Sequence, residues 1–137
     1  MPQLLAIDFG IKKTGIAVTD DLQMIASGLT TVATKELISF LKKYCTENKV
    51  EAFIIGEPKR LHGEASAIEE NIKHFIVQLK KDFPKIEIHR IDERFTSKMA
   101  FETMLQSEIS KKKRRDKELV DKISATLILQ DFLNYRR

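Results

Sequence analysis

Short apolar runs alternate along this chain with longer segments in which apolar residues recur at helical spacing. The short runs end at glycine, proline or polar residues, which is typical of strands. They predict five strands, at residues 3–9, 14–20, 24–32, 52–56 and 86–92. Only a short connection containing "KKT" separates the first two runs, so we expect a hairpin there and an antiparallel meander through the third run. Gly28 interrupts the third run and predicts a bulge or a weak point in the strand.

Four segments show the apolar periodicity of helices. Thr34 is the predicted N-cap of the first helix, whose apolar face runs from Leu37 to Cys45. The remaining helices are expected around 68–79, after Thr96 or Ser97, and from about 117 to 135. Helices alternate with the later strands, and strands joined in this way are parallel. The order therefore predicts an α/β fold in a single domain of residues 1–137. It is a mixed five-stranded sheet, antiparallel in its first three strands and then parallel, with helices on both faces.

Three carboxylates occupy informative positions in this arrangement. Asp8 ends the first strand, Glu93 follows the last strand, and Asp121 lies near the start of the last helix. On that helix, positions 121, 125, 128 and 132 share one face, and the other three are alanine, isoleucine and phenylalanine. Asp121 should therefore point at the sheet. A buried carboxylate needs a compensating cation, and oxygen ligands suit Mg²⁺ or Mn²⁺.

These acids predict a catalytic metal site made of Asp8, Glu93 and Asp121. Two ions about 3.5–4 Å apart are a standard arrangement for phosphodiester hydrolysis. Each acid also has an ordinary structural interpretation, as a turn residue after a strand or as a favourable charge at a helix start.

Basic residues are concentrated in the last third of the chain. The net charge is +4, and residues 94–137 hold 11 Lys and Arg against 6 Asp and Glu. This excess favours a polyanionic partner. The predicted nucleic-acid contacts are Lys12, Lys13, Arg94, Lys111, Lys112, Lys113, Arg114, Arg115 and Lys117. A single cysteine, Cys45, excludes an internal disulfide framework, and no run of about 20 apolar residues predicts a membrane span. We therefore expect a cytoplasmic protein.

Three segments together resemble the YqgF/RuvX family of RNase H-like nucleases. They are "AIDFGIKKTGIAVTD", "IDERFTS" and "KKKRRDKELVDKISATLILQDFL". The resemblance implies an RNase H-like fold and a divalent-metal site, with Asp8, Glu93 and Asp121 at the family's acidic positions. It implies a role in maturation of the 5′ end of pre-16S rRNA, or in Holliday junction resolution during DNA recombination. One loop, "GEPKRLHG", departs from the family pattern, which usually has an apolar residue where Glu57 stands and an aspartate where His62 stands.

Other functions remain open at the level of sequence. The spacing of Asp8, Gly10 and Gly15 also resembles the first phosphate loop of actin-like ATPases, but those proteins need two such domains and this chain has the length of one. A catalytically silent RNA-binding ribosome assembly factor would also use the basic run. A four-way DNA junction would favour a homodimer, although no residue pattern marks an interface.

Overall fold

The computed structural model describes residues 2–58, 67–93, 101 and 117–136 of the 137-residue chain. Its strands are β1 (Gln3–Asp8), β2 (Lys13–Thr19), β3 (Ala26–Ala33), β4 (Val50–Glu57) and β5 (Glu87–Asp92). Its helices, numbered within the described part, are α1 (Leu37–Glu47), α2 (Glu69–Asp82) and α3 (Lys117–Arg136). None of these described helices combines the length and apolarity needed to cross a membrane. Of the helix predicted after Thr96 or Ser97, the described residues include only Phe101, which is helical.

The five strands form one sheet in the order β3-β2-β1-β4-β5. β1 pairs antiparallel with β2, and β2 pairs antiparallel with β3. β4 is parallel to β1 and to β5. The predicted mixed sheet is confirmed. Its topology brings the carboxyl ends of β1, β4 and β5 to one edge, where the predicted acids stand.

A bulge interrupts the pairing of β2 with β3. The register shifts between Ile16 and Ala17, whose partners are Thr30 and Gly28, so Leu29 is left out of the ladder. The sequence predicted a bulge at Gly28, and the structure has it at the next residue. Glycine beside a bulge is common because it tolerates the local bend.

Apolar side chains fill the space on both faces of the sheet. One core lies under α1 and α2; its largest fully buried members are Leu5, Ile7, Ile16, Leu37, Leu41, Phe53, Ile55, Ile72 and Leu79. The other core lies under α3, where Ala125 and Ile128 are fully buried and Phe132 packs against them. Burial of one such isoleucine contributes about 1.5–3 kcal/mol. The predicted inward row of the last helix is therefore confirmed, and it fixes which way Asp121 faces.

The prediction that Thr34 caps the first helix is wrong. Thr34 begins a 3₁₀ turn, Thr34–Glu36, that leads into α1, and neither helix start has a side-chain cap. The Thr34 hydroxyl instead donates a hydrogen bond of 2.6 Å to the carbonyl of Gly10. A threonine before an apolar run has the same sequence pattern whether it caps the helix or bonds a distant residue. The sequence therefore could not reveal Gly10 as its partner.

Candidate active site

Asp8 and Asp121 lie next to each other because Gly15 lets α3 approach the sheet. Asp8 is paired with Gly15 across the β1–β2 ladder. A Cβ atom on Gly15 would lie 2.0 Å from the Asp121 carbonyl oxygen and 3.2 Å from the Asp121 Cβ. Side chains that face each other in an antiparallel pair have Cβ atoms about 4.5–5.5 Å apart. The missing side chain of Gly15 therefore leaves the space in which α3 presents Asp121 beside Asp8.

Glu93 reaches toward the same place across a second glycine. Gly56 pairs with Ile91 on β5, and Glu93 follows two residues later on the same side. A Cβ atom on Gly56 would lie 2.8 Å from Oε2 of Glu93 and 3.1 Å from Cδ1 of Ile128. The Glu93 carboxylate thus lies over β4, the strand between β5 and β1. Glu93 is buried, with 9% of its surface exposed, and Oδ2 of Asp121 is buried as well.

An open cavity of about 480 Å³ lies in front of the two aspartates. The residues that line it are Asp8, Phe9, Gly10, Ile11, Lys12, Lys13, Ile68 and Asp121. Lys12 is exposed, whereas Lys13 forms an ion pair with Glu118 in the first turn of α3. The cavity therefore places two carboxylates and two cations together, a combination suited to a phosphate and its counterion.

The β1–β2 turn that forms one wall of this cavity is held by hydroxyl groups. Thr14 is fully buried; its Oγ1 is 2.8 Å from Oγ1 of Thr34 and accepts a hydrogen bond from the Gly10 amide. The amide of Thr34 donates to the carbonyl of Lys12. A side chain at Gly10 would collide with the Lys13 carbonyl oxygen, 2.2 Å from its Cβ position. The turn is thus fixed at both of its ends. The sequence gave no sign that Thr34 would be the partner of Thr14.

A buried ion pair supports the other side of the site, and sequence reasoning missed it. Arg90 donates two hydrogen bonds to the carboxylate of Glu69, at 2.9 and 3.1 Å, and Glu69 is 4% exposed. The same guanidinium donates to the carbonyls of Ile55 and Gly56. The pair joins the start of α2 to the end of β4, directly behind the glycine that Glu93 crosses. Nothing in the sequence around Arg90 identifies Glu69 as its partner, because the two residues are brought together only by the fold.

The donor set suits a hard divalent cation, because every candidate ligand is a carboxylate oxygen. Among the described residues, which include all three acids, no three His, Cys, Asp or Glu side chains are placed so that they could hold a metal ion. The fold thus brings Asp8, Glu93 and Asp121 to one face of the sheet without a finished three-residue ligand cluster. Joint metal binding by these residues stays a prediction.

Most of the predicted nucleic-acid contacts lie outside the part of the chain that the structure describes. Arg94 and the basic run Lys111, Lys112, Lys113, Arg114 and Arg115 lie outside the described residues. Lys117 is the first residue of α3, but its side chain is not described either. Only Lys12 and Lys13 are located, both at the cavity.

Comparison with known proteins identifies the family of the chain. The family model described as "RuvX: Holliday junction resolvase" matches residues 2–135. The chain belongs to the RuvX family. Curated relatives of this RuvX chain include proteins of Flavobacterium psychrophilum, 56% identical over 97% of both chains, and Flavobacterium johnsoniae, 55% identical over 100% of this chain and 99% of the relative. Both carry the name "Putative pre-16S rRNA nuclease".

Among solved structures, the RuvX chain is similar to the crystal structure of the fowlpox virus Holliday junction resolvase. The two align with a TM-score of 0.52 and 13% sequence identity, over 97% of this chain and 99% of the viral one. At this identity the similarity establishes the fold, which is RNase H-like, and no more.

Proposed function

We propose that this RuvX chain is a nuclease that hydrolyses phosphodiester bonds with the help of divalent metal ions. The observation that carries the proposal is that Asp8 and Asp121 line one cavity, while Glu93 lies on the same face of the sheet, at the gaps left by Gly15 and Gly56. The names of the family and of its relatives support the same class of reaction.

In this proposal Asp8 and Asp121 hold Mg²⁺ or Mn²⁺ at the cavity, and Glu93 is the third ligand. The chemistry that such ions supply is activation of a water molecule and stabilisation of the leaving oxygen. We also assign to Asp8, the last residue of β1, the role of accepting a hydrogen bond from the attacking water and orienting it.

The lysines of the β1–β2 turn hold the substrate. Lys12 is exposed at the cavity wall and contacts a phosphate oxygen of the bound strand. Lys13 joins it when Glu118 is displaced. Such contacts fix the position of a backbone without reading its bases, and they make affinity depend on salt.

The proposed substrate is precursor 16S rRNA near its 5′ end, since this is the RNA in the relatives' name. The reaction would then take place in the cytoplasm, where ribosomes are assembled. A Holliday junction is the alternative substrate, because the family model carries that description. A homodimer is expected only if the substrate is a Holliday junction, since two symmetric cuts need two active sites.

One observation favours a different class of function. The three acids do not form a finished metal-binding cluster among the described residues, as expected for a catalytically silent RNA-binding assembly factor. That function predicts RNA binding which survives loss of all three acids, and no turnover with any metal.

Cleavage of two substrates by the purified chain separates these functions. A 5′ leader precursor of 16S rRNA and a synthetic four-way DNA junction are incubated with the protein and Mg²⁺ or Mn²⁺. We expect cleavage of the RNA by the wild-type chain and none by Asp8→Asn. The matched control is Asp82→Asn, which removes a carboxylate at the end of α2, away from the site. Cleavage by Asp8→Asn at the wild-type rate rules out the proposed mechanism.

A further inference from the structure

Ile11 is an exposed apolar residue beside the candidate active site. It lies in the β1–β2 turn between Gly10 and Lys12, and 68% of its surface is open to solvent. Single exposed apolar residues are common on proteins and need no explanation by themselves. Ile11, however, also lines the cavity that Asp8 and Asp121 share. An apolar side chain next to two carboxylates and two lysines does not improve the binding of a phosphate.

Hydrogen bonds hold the backbone on both sides of Ile11 in place. The Thr14–Thr34 hydroxyl pair fixes Gly10 through its amide and its carbonyl, and the Thr34 amide binds the Lys12 carbonyl. Both neighbours of Ile11 in the chain are therefore anchored by hydrogen bonds to other elements. An apolar side chain on a fixed backbone contributes more to binding than one on a mobile loop, because less conformational entropy is lost on contact.

We propose that Ile11 packs against a nucleobase next to the phosphate that the site engages, so that the site takes RNA whose bases are unpaired there. This inference rests on the proposed function. A strand whose phosphate contacts Lys12 brings an adjacent base to the same turn, where Ile11 covers its apolar face. In a continuous duplex that face is already stacked on its neighbours. Insertion of an apolar side chain then costs unstacking energy, as it does in proteins that use such residues as wedges.

The substrate class follows from this contact. The lysines bind the phosphates of any nucleic acid, whereas Ile11 stabilises only the binding of an unstacked base. The site should therefore discriminate in favour of single-stranded or loop segments, such as the unpaired flanks of a precursor RNA, and against perfect duplexes.

Binding measured without divalent metal tests the inference independently of cleavage. Two fluorescently labelled RNAs, one with an unpaired segment and one a perfect duplex, are titrated with protein, and anisotropy gives the dissociation constants. Ile11→Ala should weaken binding of the RNA with the unpaired segment about fivefold, as expected from lost apolar burial, and leave duplex binding unchanged. Val77→Ala is the matched control. Val77 is 67% exposed on α2 and lies outside the cavity, so this variant should bind both RNAs like the wild type.

A second variant shows how the loss of a contact with the RNA backbone changes the two dissociation constants. Lys12→Ala should weaken both RNAs by the same factor. The inference is overturned if Ile11→Ala changes neither affinity, if it lowers both equally, or if the wild type does not bind RNA. If cleavage fails with every metal while Ile11→Ala still shows the selective loss, the proposed function is wrong but the base contact stands.

Discussion

Replacement of Gly15 by alanine tests the contact that brings Asp121 to Asp8. The added methyl group would start 2.0 Å from the Asp121 carbonyl oxygen and 2.5 Å from its carbonyl carbon. Both atoms belong to the backbone of α3, so no side-chain rotation relieves the clash. A separation of even 3.0 Å requires α3 and β2 to move about 1 Å apart at this point.

The size of the effect follows from two opposing contributions. Forcing an extra methyl group into a packed interface costs about 1–3 kcal/mol. The lower entropy of the unfolded alanine chain offsets about 0.4–1 kcal/mol of that. We expect a net loss of about 1–2 kcal/mol and a Tm lower by roughly 4–8 °C. A displacement of about 1 Å at Asp121 should also reduce metal-dependent cleavage about a hundredfold.

Thermal denaturation followed by circular dichroism and a cleavage assay at a temperature well below both Tm values measure the two effects. Gly28→Ala is the matched control, because Gly28 also lies under α3. Its Cβ would meet Cγ of Lys122 at 2.6 Å and Oγ1 of Thr126 at 3.1 Å, which are side-chain atoms and not the backbone of α3. The control should cost less stability than Gly15→Ala and keep full activity. Equal stability and activity in Gly15→Ala and the wild type, or equal losses in both variants, would refute the close approach of α3.

Three further predictions test separate parts of the site and the core. Gly56→Ala places a methyl group 2.8 Å from Oε2 of Glu93 and 3.1 Å from Cδ1 of Ile128, so cleavage should fall. The Tm should fall less than in Gly15→Ala, because the atoms met are side-chain atoms and not backbone; full activity would contradict the position of Glu93. Glu118→Gln releases Lys13 from its ion pair, so RNA affinity measured by anisotropy should rise up to about fivefold at low salt, with no gain at high salt. Weaker binding would exclude Lys13 as a phosphate contact. Burial raises the pKa of the Cys45 thiol to about 11. At pH 8 the thiolate of the folded protein is therefore about a hundredfold rarer than in urea, but it is also more nucleophilic. Iodoacetamide should accordingly modify Cys45 roughly tenfold more slowly in the folded protein than in urea. Equal rates would show that Cys45 is not packed in the core.

The sheet could be predicted because its signals are local. The apolar runs around β1 and β4 and the glycine-bounded turns determine strand type, and the helices between later strands determine direction. The inward orientation of Asp121 followed from one helical row, whose other members are Ala125, Ile128 and Phe132. In each case a pattern of a few neighbouring residues carries the information.

The contacts that complete the site could not be predicted in this way. The buried pair of Arg90 and Glu69 joins residues 21 positions apart, and the Thr34 hydroxyl meets Gly10 across 24. Nothing in either neighbourhood distinguishes these side chains from surface residues or helix caps. The functions of Gly15 and Gly56 were hidden for the same reason: a glycine in a strand does not reveal which other element occupies its empty side.

Direct measurement of metal binding is the sharpest test of the central claim, that Asp8, Glu93 and Asp121 together hold a divalent ion. Isothermal titration calorimetry of the RNA-free chain with Mn²⁺ should show saturable binding in the wild type and in Asp82→Asn. It should show none in Asp8→Asn or Asp121→Asn, and weaker binding in Glu93→Gln. Binding that is unchanged when all three acids are replaced, or absent in the wild type, would contradict the account.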